Sequence, residues 1–262
     1  MALSAKPASY SVNTGHAKCP THLYMLDDPT GATTVNDAVG SLDLTADSTA
    51  MWNTDATYGQ ILRFVSASSQ KALSAASFSA TTGLCAVFIV RSDNATNPAA
   101  NRTVGGFGHN ATANTYAAAR LNTSGTSQAI ARYNGGTTWT ATSSPDVYDA
   151  GWHMIAIKLK QSTGSDGELR QSVDGSDWGY GAEVTTHDIT TLGYNRFALG
   201  VQPQSSPSTY FDGDILAAFV YVDDWATWSD AWIASLWADP WQFLSTGGAS
   251  ATVTPNPAGV SV

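Results

Sequence analysis

Apolar residues along most of this chain come in short runs, cut by clusters of Gly, Asn, Asp, Ser and Thr. These runs predict strands at 21–27, 60–66, 84–91, 102–108, 115–121, 129–134, 153–160, 168–174, 196–202 and 215–222. HMIAIKLK (153–160) and ILAAFVYV (215–222) mix alternation with continuous hydrophobicity, as strands covered on one or both faces do. Turn signals such as Gly135-Gly136 and Asp174-Gly175 recur between the runs. Many short strands joined by polar turns predict a β-sandwich or barrel.

The pattern changes at 223–241, DDWATWSDAWIASLWADPW, which holds five of the nine tryptophans. A helix is expected here, capped by Ser229, with Asp230 near its positive end and Asp239-Pro240 as its stop. Trp232 and Leu236 share a face, as do Ile233 and Trp237. A short helix with this much apolar surface must lie against something, since each buried indole hides roughly 150–250 Å². The tryptophans are therefore read as a structural lid, and recognition is left to loops.

Charged residues make up 13% of the 262 positions, with a formal net charge of −9. The 12 basic residues are scattered singly, which excludes a nucleic-acid grip built on clustered Lys and Arg. No apolar run approaches the roughly 20 residues of a membrane span, so no membrane insertion is expected. The opening 20 residues hold no continuous apolar stretch, and no Sec-type signal peptide is read there. Four Asn-x-Ser/Thr triplets, at Asn94, Asn101, Asn110 and Asn122, are treated as chance in a chain so rich in Ser and Thr. Cys19 and Cys85 are either two unlinked thiols or one disulfide.

Four segments in order carry a resemblance. LYMLDDPTGATTVNDAVGSLDLT (23–45) has an aromatic strand followed by a D-x-x-G turn at Asp37–Gly40. ILRFVSASSQKAL (61–73) is a second strand. GWHMIAIKLKQSTGSDGELRQSVDG (151–175) is a W-H strand, with Trp152 and His153, and a hairpin ending in V-D-G. YFDGDILAAFVYVDDWATWSDAWIASLWADPW (210–241) is an F-D-G strand, with Phe211 and Gly213, leading to a helix that carries Trp232, Leu236 and Trp237 and ends near Trp241. Together they resemble laminin-G-like, concanavalin A-like lectin-glucanase domains, of a type found in bacteriophage virion proteins. The resemblance implies an all-β fold, a jelly-roll sandwich of two curved antiparallel sheets with one short C-terminal helix. It spans 21–244, which leaves 1–20 as an N-terminal arm and 245–262 as a C-terminal arm. His153 is read as a packed histidine.

Hydrolytic relatives of such a fold place an acid/base and a nucleophile carboxylate about 5–5.5 Å apart. Here the two glutamates, Glu168 and Glu183, fall in different predicted elements, and Asp212 and Asp214 flank Gly213 in a turn context. A non-enzymatic module is therefore expected. No cofactor is expected. Ca²⁺ is doubtful, because the family's acidic pair is replaced by Leu216 and Ala217, leaving Asp37 as the weak candidate against a turn-capping role. Glycan binding needs an aromatic face beside a few polar groups. The candidates are Arg132, Tyr133 and Trp139 in ARYNGGTTWTATSS, and Asp177, Trp178 and Tyr180 in DGSDWGYG. The expected role is a virion building block (decoration, fibre or tail-associated) that contacts other virion proteins through its arms and presents a glycan-binding face. A free extracellular lectin is the alternative and a glycan-cleaving enzyme the least supported reading. A symmetric homo-oligomer is expected.

Overall fold

Alternating side chains along antiparallel strands build two stacked sheets with a third layer outside them. The structure, a computed structural model, describes residues 3–75, 79–93, 98–133, 136, 138–161, 167–179 and 193–245. One sheet has eight strands in the order β12 (Thr138–Asp146), β11 (Thr126–Arg132), β10 (Tyr116–Leu121), β9 (Arg102–Gly108), β15 (Arg196–Leu199), β7 (Ala72–Ser74), β4 (Leu44–Ala46) and β3 (Thr34–Val35). The seven-stranded sheet runs β14 (Leu169–Val173), β13 (His153–Lys160), β8 (Gly83–Ser92), β16 (Gly213–Val222), β6 (Gly59–Phe64) and β5 (Trp52–Asp55), with β2 (His22–Tyr24) also paired to β16. All pairings are antiparallel.

Between the sheets lies the main core. On β8, Leu84, Ala86, Phe88 and Val90 point into it, while Cys85, Val87 and Ile89 point the other way into a second apolar layer. This is why β8 reads as a continuous hydrophobic run: both of its faces are covered. On β16 the alternation is interrupted by a register shift between Ile215 and Ala217, so Leu216 and Ala217 both join the second layer. Phe197 stacks at 5.5 Å on Tyr24 and at 6.1 Å on Phe88, bridging the two sheets. Phe211 is fully buried 6.2 Å from Phe64, two residues before Gly213 opens β16.

Helix α1 (Asp230–Ala238) closes the second layer. Ser229 caps it by accepting the Trp232 N–H through Oγ at 3.2 Å, and the chain turns extended at Asp239, before Pro240. Trp228, Trp232 and Trp241 are buried against the outer face of the seven-stranded sheet, with Ile233 and Leu236. Trp237 is half-buried beside this layer.

The expected N-terminal arm is packed on the protein's own sandwich. Leu3 is buried, Lys6 donates to the carbonyls of Met25 and Gln60 at 3.0 Å, and Trp241 Nε1 donates to the Ser4 carbonyl. Strand β1 (Ser11–Val12) pairs with β17 (Leu244–Ser245). Tyr10, Val12 and Cys19 add apolar surface to the second layer, which explains why this weakly patterned segment adheres. The expected C-terminal arm falls, beyond Ser245, outside the described residues. Cys19 and Cys85 are both free thiols. Among the described residues no helix is long and apolar enough to cross a membrane.

Candidate glycan-binding site

The fold separates the two groups of sequence candidates. Arg132, Tyr133 and Trp139 belong to the eight-stranded sheet, whereas Asp177 and Trp178 lie beside α1 on the outside of the seven-stranded sheet. Tyr180 and Glu183 lie outside the described residues.

Trp139 is not a loop residue with an open ring. It is the second residue of β12, facing Ala131 across the ladder, and only 8% of it is exposed. In TWTAT the threonines 138, 140 and 142 are exposed and Trp139 and Ala141 are buried, the period-two pattern of a half-buried strand. The small Ala131 opposite leaves room for the indole in the core. Tyr133 is half-buried and packs against the same core.

Trp178 is likewise closed to a ligand, at 4% exposed. Its N–H meets Asp230 Oδ1 at 2.8 Å, and its indole Nε1 donates to the Ser229 carbonyl at 3.2 Å, so it is pinned beneath the start of α1. Asp177 beside it is exposed.

What does stay open near Trp178 is Trp225, in the one-turn helix Trp225–Thr227 that precedes α1. Its indole is half-buried, and two adjoining cavities of about 260 and 400 Å³ share it as a wall. The first is lined by Lys158, Glu168, Arg170, Ser229 and Asp230, the second by Thr82, Lys160, Gln161, Asp223 and Asp224. Lys158 fixes the ring from inside. Its Nζ sits 4.4 Å from the centroid of Trp225 and 4.5 Å from that of Trp178, and donates to the Trp228 carbonyl at 2.7 Å. Cation–π contact on two rings and a carbonyl partner offset the cost of burying the charge of Lys158, a residue only 6% exposed. Burial pushes the Lys158 amine down to about 8. On the other side, Asp223 accepts the N–H groups of Thr81 and Thr82, which anchors the turn ahead of Trp225. The platform is thus held rigid on both sides while its outer surface faces the cavities.

The remaining acidic candidates have structural work. Asp37 has a fully buried side chain that accepts the N–H groups of Leu23, Val39 and Gly40 on Oδ1 and that of Leu42 on Oδ2, and pairs with His22 Nδ1 at 2.7 Å. Burial alone would raise its pKa, but His22 and these N–H groups outweigh it and lower it. Those donors occupy the oxygens that a calcium ion would need, so the carboxylate anchors a turn. The motif glycine follows from the same geometry: a Cβ on Gly40 would lie 2.5 Å from His22 Nδ1 and 2.6 Å from Asp37 Oδ2. Among the described residues no group of three or more His, Cys, Asp or Glu could hold a metal ion. Asp214, 1% exposed, pairs with Arg63 at 3.2 Å and Arg91 at 2.7 Å. Asp212 binds Ser66 and Arg102. Glu168 pairs with Arg170 at 2.9 Å. His153 is buried between Asp174 at 2.8 Å and Asp149 at 2.9 Å. Burial opposes its charge, but the two carboxylates win and raise it to about 9. Trp152 beside it is half-buried, with the Arg91 guanidinium 4.7 Å from its ring.

No family model and no curated protein matches the chain. Solved structures do. The binding domain of botulinum neurotoxin DC, in complex with rat synaptotagmin II, is similar over 87% of this chain and 52% of its own, with a TM-score of 0.59 at 11% identity. A botulinum neurotoxin type C structure, described as depending on two ganglioside molecules for cell entry, is similar over 83% of this chain and 51% of its own, with a TM-score of 0.57 at 10% identity. The sialidase CBM40 of Ruminococcus gnavus, bound to α2,3 sialyllactose, matches over 60% of this chain and 83% of its own, with a TM-score of 0.46 at 15% identity. The chain spans about half the length of the neurotoxin domains it matches. The two neurotoxin likenesses establish the β-sandwich expected from the sequence.

Proposed function

We propose that this protein is a non-enzymatic glycan-binding module in which Trp225 is the surface on which a sugar ring stacks. The observation that carries this is the placement of one half-buried indole, backed by Lys158, where two cavities meet. Sugars bind through C–H groups laid on an aromatic face, with a few polar groups fixing the hydroxyls. Gln161, Lys160, Asp224 and Arg170 are placed to serve in that way. Two of the structural neighbours are neurotoxin structures described in complex with rat synaptotagmin II or as interacting with gangliosides, so this architecture serves recognition elsewhere. The non-enzymatic reading draws on the carboxylates: Glu168, Asp212 and Asp214 are each held in an ion pair.

The test is an array of defined oligosaccharides followed by calorimetry with Trp225→Ala. Binding should fall by about five- to 150-fold, taking the roughly 1–3 kcal/mol of a base stacked on an aromatic side chain as the guide. Unchanged affinity in a folded variant refutes the assignment. The finer reading, a module carried on a bacteriophage particle, is supported by the resemblance of the closing segment, L-x-x-x-P-W-Q at 236–242, to virion proteins. Co-sedimentation with particles through a density gradient supports that setting, and recovery only as free protein overturns it.

A further inference from the structure

Strand register gathers arginines that the sequence scatters. In the eight-stranded sheet, Arg196 lies across from Gly108, Gly108 from Tyr116, Tyr116 from Arg132 and Arg132 from Thr138, one row across five strands. Four residues further along β10, Arg120 lies across from Gln128, and Gln128 from Thr142. All these side chains leave the sheet on the face away from the main core, because their neighbours Ala117, Ala119, Ala129, Ala131, Trp139 and Phe197 point inward.

The charge on that face is one-sided. Strands β9, β10, β11, β12 and β15 contain a single carboxylate, Asp146 at the end of β12, and the 201–209 loop contains none. Elsewhere, Arg63, Arg91, Arg102 and Arg170 each pair with Asp or Glu. On this face Arg120 instead donates to Gln128 Oε1 at 2.6 Å and Arg196 to the Gln204 carbonyl at 3.2 Å. Both keep a buried Nε without a hydrogen-bond partner among the described residues, as Arg102 also does. Arg132 donates to Asn114 Oδ1 and the Gly136 carbonyl at 3.3 Å.

A loop borders the face on one side. Its residues Gln202 and Ser208 pair with each other, and the Pro203 carbonyl lies so close over Gly108 that a Cβ there would meet its oxygen at 1.2 Å. On the other side Thr138, Thr140 and Thr142 are exposed. Between them, the guanidinium groups are set among neutral hydrogen-bonding side chains, Tyr116, Gln128, Gln202 and the threonines. Arg120 and Tyr116, four residues apart on one strand, stand about 13 Å apart at the backbone. Charges so sparse, with hydroxyl-binding groups between them, fit a hydroxyl-rich ligand bearing occasional carboxylates better than the dense phosphates of a nucleic acid.

We infer that this face of the eight-stranded sheet is a second ligand site, separate from Trp225, and that it takes a carboxylated saccharide. Arg120 and Arg196 bind its carboxylates, and Gln128 and the β12 threonines meet its hydroxyls.

The experiment titrates the full chain, in a calorimeter, with a galacturonate pentamer, a neutral glucose pentamer, a heparin pentasaccharide and a short dT oligonucleotide. The galacturonate should bind at least about tenfold tighter than the neutral pentamer, the difference expected of one charge-assisted hydrogen bond. Arg120→Gln and Arg196→Gln should each remove about tenfold of that affinity. Thr140→Glu, an exposed change that touches neither arginine, should abolish it. Lys18→Gln, which removes a charge that donates to Ser235 of α1 beyond the other sheet, should leave it unchanged. Equal binding of galacturonate and neutral pentamer overturns the proposal, as does galacturonate binding that survives both Arg120→Gln and Thr140→Glu. Tighter binding of heparin or dT overturns the carboxylate assignment. The neutral ligands report on Trp225 and the excess for galacturonate on the arginines, so the two sites fail or stand separately.

Discussion

Replacing Trp178 by alanine distinguishes a packed indole from a binding one, and its cost can be worked from the contacts. The ring is 4% exposed, so truncation removes nearly all of a large apolar contact and leaves a cavity, at about 3–5 kcal/mol. The hydrogen bond from Nε1 to Ser229 adds about 1 kcal/mol. Lys158 loses one of its two rings, at about 0.5–1 kcal/mol. These terms are not additive, because they share one side chain and its surroundings. A total near 4 kcal/mol is expected, against a domain stability of about 5–15 kcal/mol. Urea denaturation followed by tryptophan fluorescence should show a lower midpoint at unchanged slope, and the melting temperature should fall by roughly 8–16 °C. Any folded fraction should still bind oligosaccharide, since Trp178 is closed to ligand. A Trp178→Ala protein within about 1.5 kcal/mol of the parent that has lost glycan binding would refute the reasoning, because its ring would then be a contact surface.

Three further outcomes follow from side chains with defined surroundings. The His153 pKa is raised from 6.5 to about 9, so its ion pairs stabilise fully below pH 6.5 and are lost as pH rises through 9. With Asp149 largely exposed, the loss should be about 1–2 kcal/mol, read as a falling melting temperature between pH 6.5 and 9 that His153→Gln flattens. Gly40→Ala should destabilise by about 2–3 kcal/mol, because its methyl must displace His22 or Asp37, and a melting curve within 0.5 kcal/mol of the parent would contradict the turn geometry. Cys85, fully buried with its thiol pushed up by burial, should resist a thiol reagent in the native protein while half-buried Cys19 reacts slowly; both should react on unfolding, and a single disulfide would give neither.

The strands were legible where alternation or a continuous apolar run was long. HMIAIKLK became β13 at the same residues, and the helix began after Ser229 and ended before Pro240 as its caps required. Short strands such as β3, β4 and β7 were missed, because two or three residues carry no period and gain order only from the sheet beside them. Gly135-Gly136 gives the segment before Trp139 a loop-like composition that masks the strand alternation of TWTAT. The site was harder to see. Trp225 has the same composition around it as its buried companions Trp228, Trp232 and Trp241. Only the anchoring of Asp223 by the 81–82 backbone and the seat over Lys158 keep it at the surface. TYAAARL did hold a usable signal, since Tyr116 and Arg120 are four apart on a strand and must share a face. Arg196, some 76 positions downstream of Arg120, reaches the same face only through β9, which no local pattern reveals.

A net charge of −9 would oppose an acidic ligand if charge acted over the whole molecule. It does not, at physiological salt, where fields between exposed groups decay over about 8 Å. Much of the carboxylate charge is also consumed locally: Asp55, Asp93 and Asp214 sit in one network with Arg63 and Arg91 at the far sheet, and Asp37 and Asp223 are spent on backbone N–H groups. What an approaching saccharide meets at the eight-stranded sheet is therefore the local set of Arg120, Arg132 and Arg196, five strands and a loop wide, with one carboxylate at its margin. The same stacking of layers separates the two proposed recognition surfaces. The inter-sheet core and the tryptophan layer lie between them, so a ligand at Trp225 and one at the arginine face touch no common side chain. Such a module can bind a neutral and a charged part of one large polysaccharide, or two chains at once. Either arrangement raises retention on a polysaccharide through effective concentration rather than through any single tight contact.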